Sequence, residues 1–283
     1  MFRRISIASM VLSLAIPMVS SADSSAGLDK LSAAEIVAKN VSARGGLQAW
    51  RSVQALSMTG QMEAGGNNRS TIPMPGKRSG PQMPAPRPAE QTVLPFVMEM
   101  KRPHKMRLEL QVHGQTAIQT FDGVKGWKVR PFLGRVEPEP FTPDEMKIAL
   151  FQSELDGPLV DYAAKGTKVE AEGMEKVGDK DAYKLKLTMK DGQVRHVWID
   201  SQNFLDIKID GVPRRMDGRI RPVEIYTRDF RPINGLMIPY LIETEVQGFQ
   251  PTHKMTIQNV VVNPKLDDGL FAKPQITAPP VSR

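Results

Sequence analysis

The feature that most restricts how this chain can fold is a strict two-residue alternation. In "AYKLKLTMK", Tyr183, Leu185, Leu187 and Met189 fall on one side of an extended chain, with Lys184, Lys186, Thr188 and Lys190 on the other. Asp191-Gly192 supplies a tight turn, and a second strand runs through Trp198 and Ile199. A third sets Leu205, Ile207 and Ile209 against Asp206, Lys208 and Asp210. Successive side chains of a strand point to opposite faces, so this period describes antiparallel strands with one apolar and one polar face. The apolar face must meet either a packed core or a ligand that avoids water.

The pattern recurs. Met106, Leu108 and Leu110 alternate with Arg107 and Glu109, and Asp122-Gly123 marks a further turn. Strands are expected at 55–63, 92–103, 105–114, 115–129, 168–176, 182–190, 193–200, 204–210, 220–230, 236–248 and 252–262, about eleven in all. In the strand holding Val194, His196 and Trp198, the pair Val197 and Ile199 competes for the inward face.

Helical signals are few. Ser32 and Glu35 form a capping box, Leu31 and Ile36 sit at staple positions, and Gly45-Gly46 stops the run. A short helix is expected around Trp50. Over 141–166 the period turns helical until Gly157-Pro158 breaks the run: Thr142 can cap, Pro143 suits the first helical position, and Asp144 and Glu145 suit the positive end of the dipole. Met146, Leu150 and Phe151 lie at helical spacing, and a second short helix is expected at 159–162.

The ends and one internal stretch read differently. Residues 1–22 carry Arg3 and Arg4, an apolar run over 5–19 interrupted by Pro17, and a small-residue site ending at Ala22: a cleavable signal peptide. Its removal would take the formal charge from +7 to +5 and leave 261 residues. Residues 64–90 are rich in Gly and Pro without periodicity and read as an insertion within a hairpin of a single domain, 23–275. The Pro-rich tail 276–283 is expected to fray.

Chemistry-bearing signals are sparse. The absence of cysteine removes disulfides, thiol catalysis, cysteine-ligated metal and a lipidated-cysteine anchor. His104, His113, His196 and His253 are scattered, with no metal-binding spacing. There is no G-x-S-x-G motif and no phosphate-cradling glycine loop. Asp179 with Asp181, and Asp267 with Asp268, read as turn and loop residues. The sequence thus predicts neither an enzyme nor a cofactor or metal site. Basic residues alternate along strands without forming a stripe, which argues against nucleic acid as a partner.

Several stretches resemble the LolA/LolB-like family of periplasmic lipoprotein-sorting and lipid-carrier proteins: "FDGVKGW" (121–127), "YKLKLTMKDGQVRHVWID" (183–200), "RDFRPINGLMIP" (228–239) and "IQNVVVNPKLDDGLF" (257–271). The resemblance implies a mainly β fold with α, a curved antiparallel half-open β-barrel whose helices cover the concave face. It implies a cavity for the acyl chains of a lipid or lipoprotein, a periplasmic location, and a membrane transporter or outer-membrane acceptor as partner. Each methylene kept from water contributes ~0.8 kcal/mol, so a chain of about sixteen carbons needs on the order of 10 kcal/mol of shelter.

On this reading, Leu108, Leu110, Leu185, Leu187, Leu205 and Ile207 line the concave side, Trp127 looks inward, and Met146, Leu150 and Phe151 come from the lid. Methionines such as Met58, Met98, Met100, Met106 and Met189 would re-pack around cargo of variable shape. Two other classes compete: a sensor or adaptor on the same scaffold that reports to a membrane partner, and an envelope hydrolase with a site assembled from distant residues.

Overall fold

The computed structural model describes residues 31–65 and 91–275. The expected leader, the tail and all but the first two residues of the Pro-rich insertion lie outside the described residues. The strands are β1 (Ala55–Gly65), β2 (Gln91–Lys101), β3 (Lys105–Val112), β4 (Gln115–Phe121), β5 (Gly126–Arg130), β6 (Arg135–Pro140), β7 (Lys168–Val177) and β8 (Lys180–Thr188). They continue with β9 (Val194–Asp200), β10 (Asp206–Asp210), β11 (Arg214–Met216), β12 (Arg219–Arg221), β13 (Val223–Ile233), β14 (Leu236–Val246) and β15 (His253–Val262).

Thirteen of them form one sheet in the order β6-β5-β4-β3-β2-β1-β15-β14-β13-β10-β9-β8-β7, and β11 and β12 make a separate hairpin. The pairings are antiparallel. The edge strands β6 and β7 do not pair with each other among the described residues, so the sheet is an open half-barrel. β1 and β2 pair along their whole length, from Ala55 opposite Lys101 to Gly65 opposite Gln91, so residues 66–90 connect two hydrogen-bonded neighbours.

The strand count exceeds the expected eleven because short strands leave little pattern. β6, "RVEPEP", has two prolines and a single apolar side chain besides them. The expected strand over 220–230 is broken at Pro222, which has no N–H to give a ladder; Ile220 belongs to β12 and β13 starts at Val223.

Among the described residues three α-helices cover part of the sheet: α1 (Ala33–Ala43), α2 (Leu47–Ser52) and α3 (Pro143–Gln152). Both longer helices begin in a closed capping box, Ser32 with Glu35 and Thr142 with Glu145. Gly45 ends the first run at φ +112°, and a Cβ there would lie 2.3 Å from the Gly235 carbonyl oxygen, so only glycine lets the β13–β14 turn approach so closely. The helix expected at 159–162 does not form. Gly157 and Asp161 adopt left-handed dihedrals, and residues 155–166 run as successive turns.

Both helical elements lie on the same face of the sheet. α1 sets Ile36 and Val37 on Leu185, Leu187, Val197 and Ile199. α3 and the turns after it bring Ala149, Leu155 and Val160 against Trp50, Met100, Met106 and Phe121. The inward pair in β9 is therefore Val197 and Ile199.

Candidate functional site

Between this inner face and the helical cover lies an apolar cavity of about 260 Å³. Its floor comes from strands near the middle of the sheet: Leu56 and Met58 of β1, Phe96, Met98 and Met100 of β2, Ile238 and Ile242 of β14, Met255 and Ile257 of β15. The alternation that makes these strands also aligns these residues, because Met98 sits opposite Met58 and Ile242 opposite Met255. Phe151, at the end of α3, and Leu155 and Leu159, in the turns beyond it, form the roof, and Trp50 closes one side. Four of the lining residues are methionines, whose unbranched thioethers can follow the outline of more than one ligand.

Charged groups tie the roof to the sheet. Arg44, 8 % exposed, donates to the Asp156 carbonyl at 2.9 Å, lies 3.8 Å from the Asp206 carboxylate and stacks on the Trp50 ring at 4.6 Å. It joins α1, β10 and the roof at the rim of the cavity. Asp156, 4 % exposed, accepts from Arg102 at 2.6 Å and from Lys165 at 2.8 Å. Burial pushes the Asp156 carboxyl up, but the hydrogen bonds from Lys165 and Arg102 outweigh it and hold the group below its ordinary value. At the other end of α3, the buried Lys128 on the inner face of β5 donates to both Glu145 oxygens at 2.6 Å. Burial again opposes ionisation of Glu145, and the Lys128 and Thr142 hydrogen bonds prevail.

The structure sorts the residues singled out from sequence into four groups. Phe151 lines the cavity. Leu185 and Leu187 face inward but are fully buried under α1, and Met146 packs into the core beneath α3. Leu108 and Leu110 are also on the inner face, opposite Met98 and Phe96, yet they line a second groove of about 330 Å³ with Leu94 and Ala117.

The remaining four point elsewhere. Leu150 is 50 % exposed because Ala149 takes the inward position. Trp127 pairs with Thr120 on the outer face, where Thr120 donates to the Ala272 carbonyl, while the next residue, Lys128, turns inward. Ile207 packs outside with Ala182 and Trp198, and Leu205 lines an outer groove beside it. The reason is a register shift between Asp206 and Lys208 that turns Asp206 and Ile209 inward and Ile207 out.

Of the methionines expected to re-pack around cargo, Met58, Met98 and Met100 line the cavity, whereas Met106 is buried in the core and Met189 lies in a separate groove. Arg44, Trp50, Ile238 and Ile257 carried no signal as a group, since they come from four separate segments.

No protein-family model and no curated protein sequence matches the chain. Solved structures do. A DUF1329 family protein from Desulfovibrio piger is similar with a TM-score of 0.52 at 14 % identity, over 85 % of this chain and 97 % of that one. A putative outer membrane lipoprotein-sorting protein domain from Vibrio parahaemolyticus gives 0.50 at 11 % identity, over 84 % and 95 %. A LolA superfamily protein from Nitrosomonas europaea gives 0.49 at 16 % identity, over 86 % and 98 %.

The chain shares the fold of the Desulfovibrio and Vibrio proteins, an open antiparallel half-barrel with a helical cover. At these identities the similarity speaks for architecture alone. Within this half-barrel the position of the cavity follows from the topology: strands β1, β2, β14 and β15 sit at mid-sheet, where the inner face is farthest from either open edge.

Proposed function

We propose that this protein is a carrier that holds acyl chains of a lipid or lipoprotein under its helical cover and moves them through the periplasm towards the outer membrane. The observation that carries this reading is the apolar cavity between the inner face and the roof. A hollow lined mainly by aliphatic, thioether and aromatic side chains, with polar groups such as Arg44 and Asp206 confined to its rim, gains free energy when hydrocarbon replaces water in it. Arg3, Arg4 and the apolar run behind them support export, and among the described residues no helix is long and apolar enough to cross a membrane. The Vibrio domain is described as outer membrane lipoprotein-sorting, which agrees with the reading. No catalytic constellation is needed for such a task, and we assign none.

The volume limits what fits. At about 30 Å³ per water-sized group, 260 Å³ takes about nine methylene-sized groups, which shelters roughly 7 kcal/mol of transfer free energy. A sixteen-carbon chain exceeds that. Its remainder must displace the roof or extend into the adjoining inner groove beside Leu108 and Leu110. Where the remainder takes the first route, cargo loading and movement of residues 143–166 are coupled.

Native mass spectrometry of freshly purified full-length protein, followed by lipid extraction, tests the proposal. Stoichiometric acyl lipid that passes to acceptor vesicles is expected. Protein that emerges lipid-free and takes up neither uncharged dioleoylglycerol nor dioleoyl phosphatidylglycerol from donor vesicles would refute it. Retention of lipid without any release would favour a sensor on the same scaffold.

A further inference from the structure

Next to the apolar cavity lies a second hollow, broader and more polar, of about 710 Å³. The two share Phe151 and Glu154, so the Phe151 ring is a common wall. The second hollow is lined by four cationic side chains, Lys147, Lys165, Lys190 and Arg195, against two carboxylates, Glu154 and Asp191. Both carboxylates are engaged: Glu154 with Lys165 at 2.8 Å, and Asp191 with the Gln193 side-chain amide at 2.6 Å. Lys165 also serves Asp156 and Lys147 lies 3.9 Å from Asp144, so among the described residues Lys190 and Arg195 are the cations of the groove without an ion pair.

Arg195 stands out. Its guanidinium lies 4.4 Å from the centre of the Phe151 ring, at the junction of the hollows. It is half-buried, and among the described residues its charge is met only at a distance, by Glu154, Asp191 and Asp210; burial consequently pulls its pKa below the ordinary value. A partly desolvated guanidinium without a hydrogen-bonded anion is unfavourable. Its planar fork is suited to phosphate or carboxylate oxygens.

We propose that this groove binds the anionic head, a phosphate or a carboxylate, of the lipid whose tail occupies the neighbouring cavity. The inference rests on the carrier reading and narrows it to acidic lipids. Arg195 would take the head bidentately, with Lys190 and Lys147 adding charge from the rim. The Phe151 ring would then sit at the boundary between head and tail, with one face to hydrocarbon and the other to the guanidinium. The exposed Leu150 also belongs to this groove, beside Lys147, and would cover the first methylenes below the head.

The test is a titration of delipidated full-length protein, read by native mass spectrometry, with dioleoyl phosphatidylglycerol, with uncharged dioleoylglycerol and with glycerol 3-phosphate. A hydrogen-bonded charge pair predicts about a tenfold preference for the anionic lipid over its uncharged analogue. That preference should shrink with added salt, because the groove is open to solvent. Arg195→Gln and Lys190→Gln should each erase part of it and together bring it to within about twofold. Arg195→Lys, which keeps the charge, should retain more of it than Arg195→Gln, so a packing defect at Phe151 is separable from loss of the anion site.

Equal binding of both lipids overturns the head-group site and leaves the acyl cavity standing. Failure of every acyl probe overturns both. Glycerol 3-phosphate binding as tightly as the whole anionic lipid overturns the assignment to a lipid head and points to a free phosphate compound.

Discussion

Asp156→Asn is the most informative single change, because it removes one charge from the tether of the roof and almost no volume. The carboxylate is nearly inaccessible and holds Arg102 and Lys165 through two short bonds. Breaking a fully buried ion pair costs roughly 3–5 kcal/mol. Here the partner side chains are 31 % and 25 % exposed, so water takes over part of their solvation, and about 2 kcal/mol is the better figure.

Where that loss appears depends on how the roof opens. If residues 143–166 open as a unit while the sheet stays folded, their amide exchange should accelerate about 30-fold, uptake of an acyl probe should quicken, and the midpoint of global unfolding should barely move. If the roof opens only when the whole domain unfolds, the melting temperature should instead fall by about 4–8 °C. Loading by displacement of the roof requires the first outcome. An unchanged exchange rate in 143–166 with unchanged uptake would refute the tether.

The pH dependence gives an independent check. Asp156 has its folded-state pKa below the unfolded value near ~3.9, so its contribution is complete above the unfolded value and disappears as pH falls through the folded one. The difference between wild type and Asp156→Asn should therefore be constant at neutral pH and vanish in strong acid, where the wild-type carboxyl is also neutral. A difference that grew on acidification would mean that some other group carries the tether.

Four further changes bear on the architecture. Met98→Asp puts a carboxylate on the cavity floor at a half-buried position, and binding of uncharged dioleoylglycerol should fall at least about tenfold while the far-ultraviolet circular dichroism keeps its sheet signature. Leu150→Asp, at an exposed site, should change urea stability by no more than about 0.5 kcal/mol. Ala149→Leu, one residue earlier and buried, should cost about 1–3 kcal/mol by overpacking; the reverse order would put the other face of α3 inward. Gly45→Ala should destabilise by about 1–3 kcal/mol, since the new Cβ meets the Gly235 carbonyl in a left-handed conformation.

Much of the architecture could be read from alternation and capping. The strands around Leu108, Leu185 and Ile257 lie where their period of two places them, and the Ser32–Glu35 box starts α1 as its residues dictate. What alternation cannot supply is the sign of a face. In β9 both rows are covered, Val197 and Ile199 by the inner core and Trp198 by Lys208 at 3.9 Å and the Glu175 carboxylate at 2.9 Å on the outside. A tryptophan served by an ammonium and a carboxylate is buried as well as one served by leucines, so hydrophobicity alone does not rank the two rows.

The misplacement of Ile207 has a second cause, and it bears on how a cavity arises in a continuous sheet. Leu205, Ile207 and Ile209 read as one row, and the shift between Asp206 and Lys208 splits them. That irregularity puts a carboxylate, Asp206, on the inner face within reach of Asn40 and Arg44 of the α1 end, where an unbroken row would have put an aliphatic side chain. α1 is thereby held by polar contacts beside the cavity and by apolar contacts, Ile36 and Val37, farther out on β8 and β9. Apolar packing directly under the end of α1 would extend the core into the space that Ile209, Ile225 and Phe151 now leave open. The hollow persists because the roof there is suspended from charged and amide groups at its rim. Straightening β10 to restore regular alternation should accordingly fill the cavity before it harms the fold, raising stability to urea while abolishing acyl uptake.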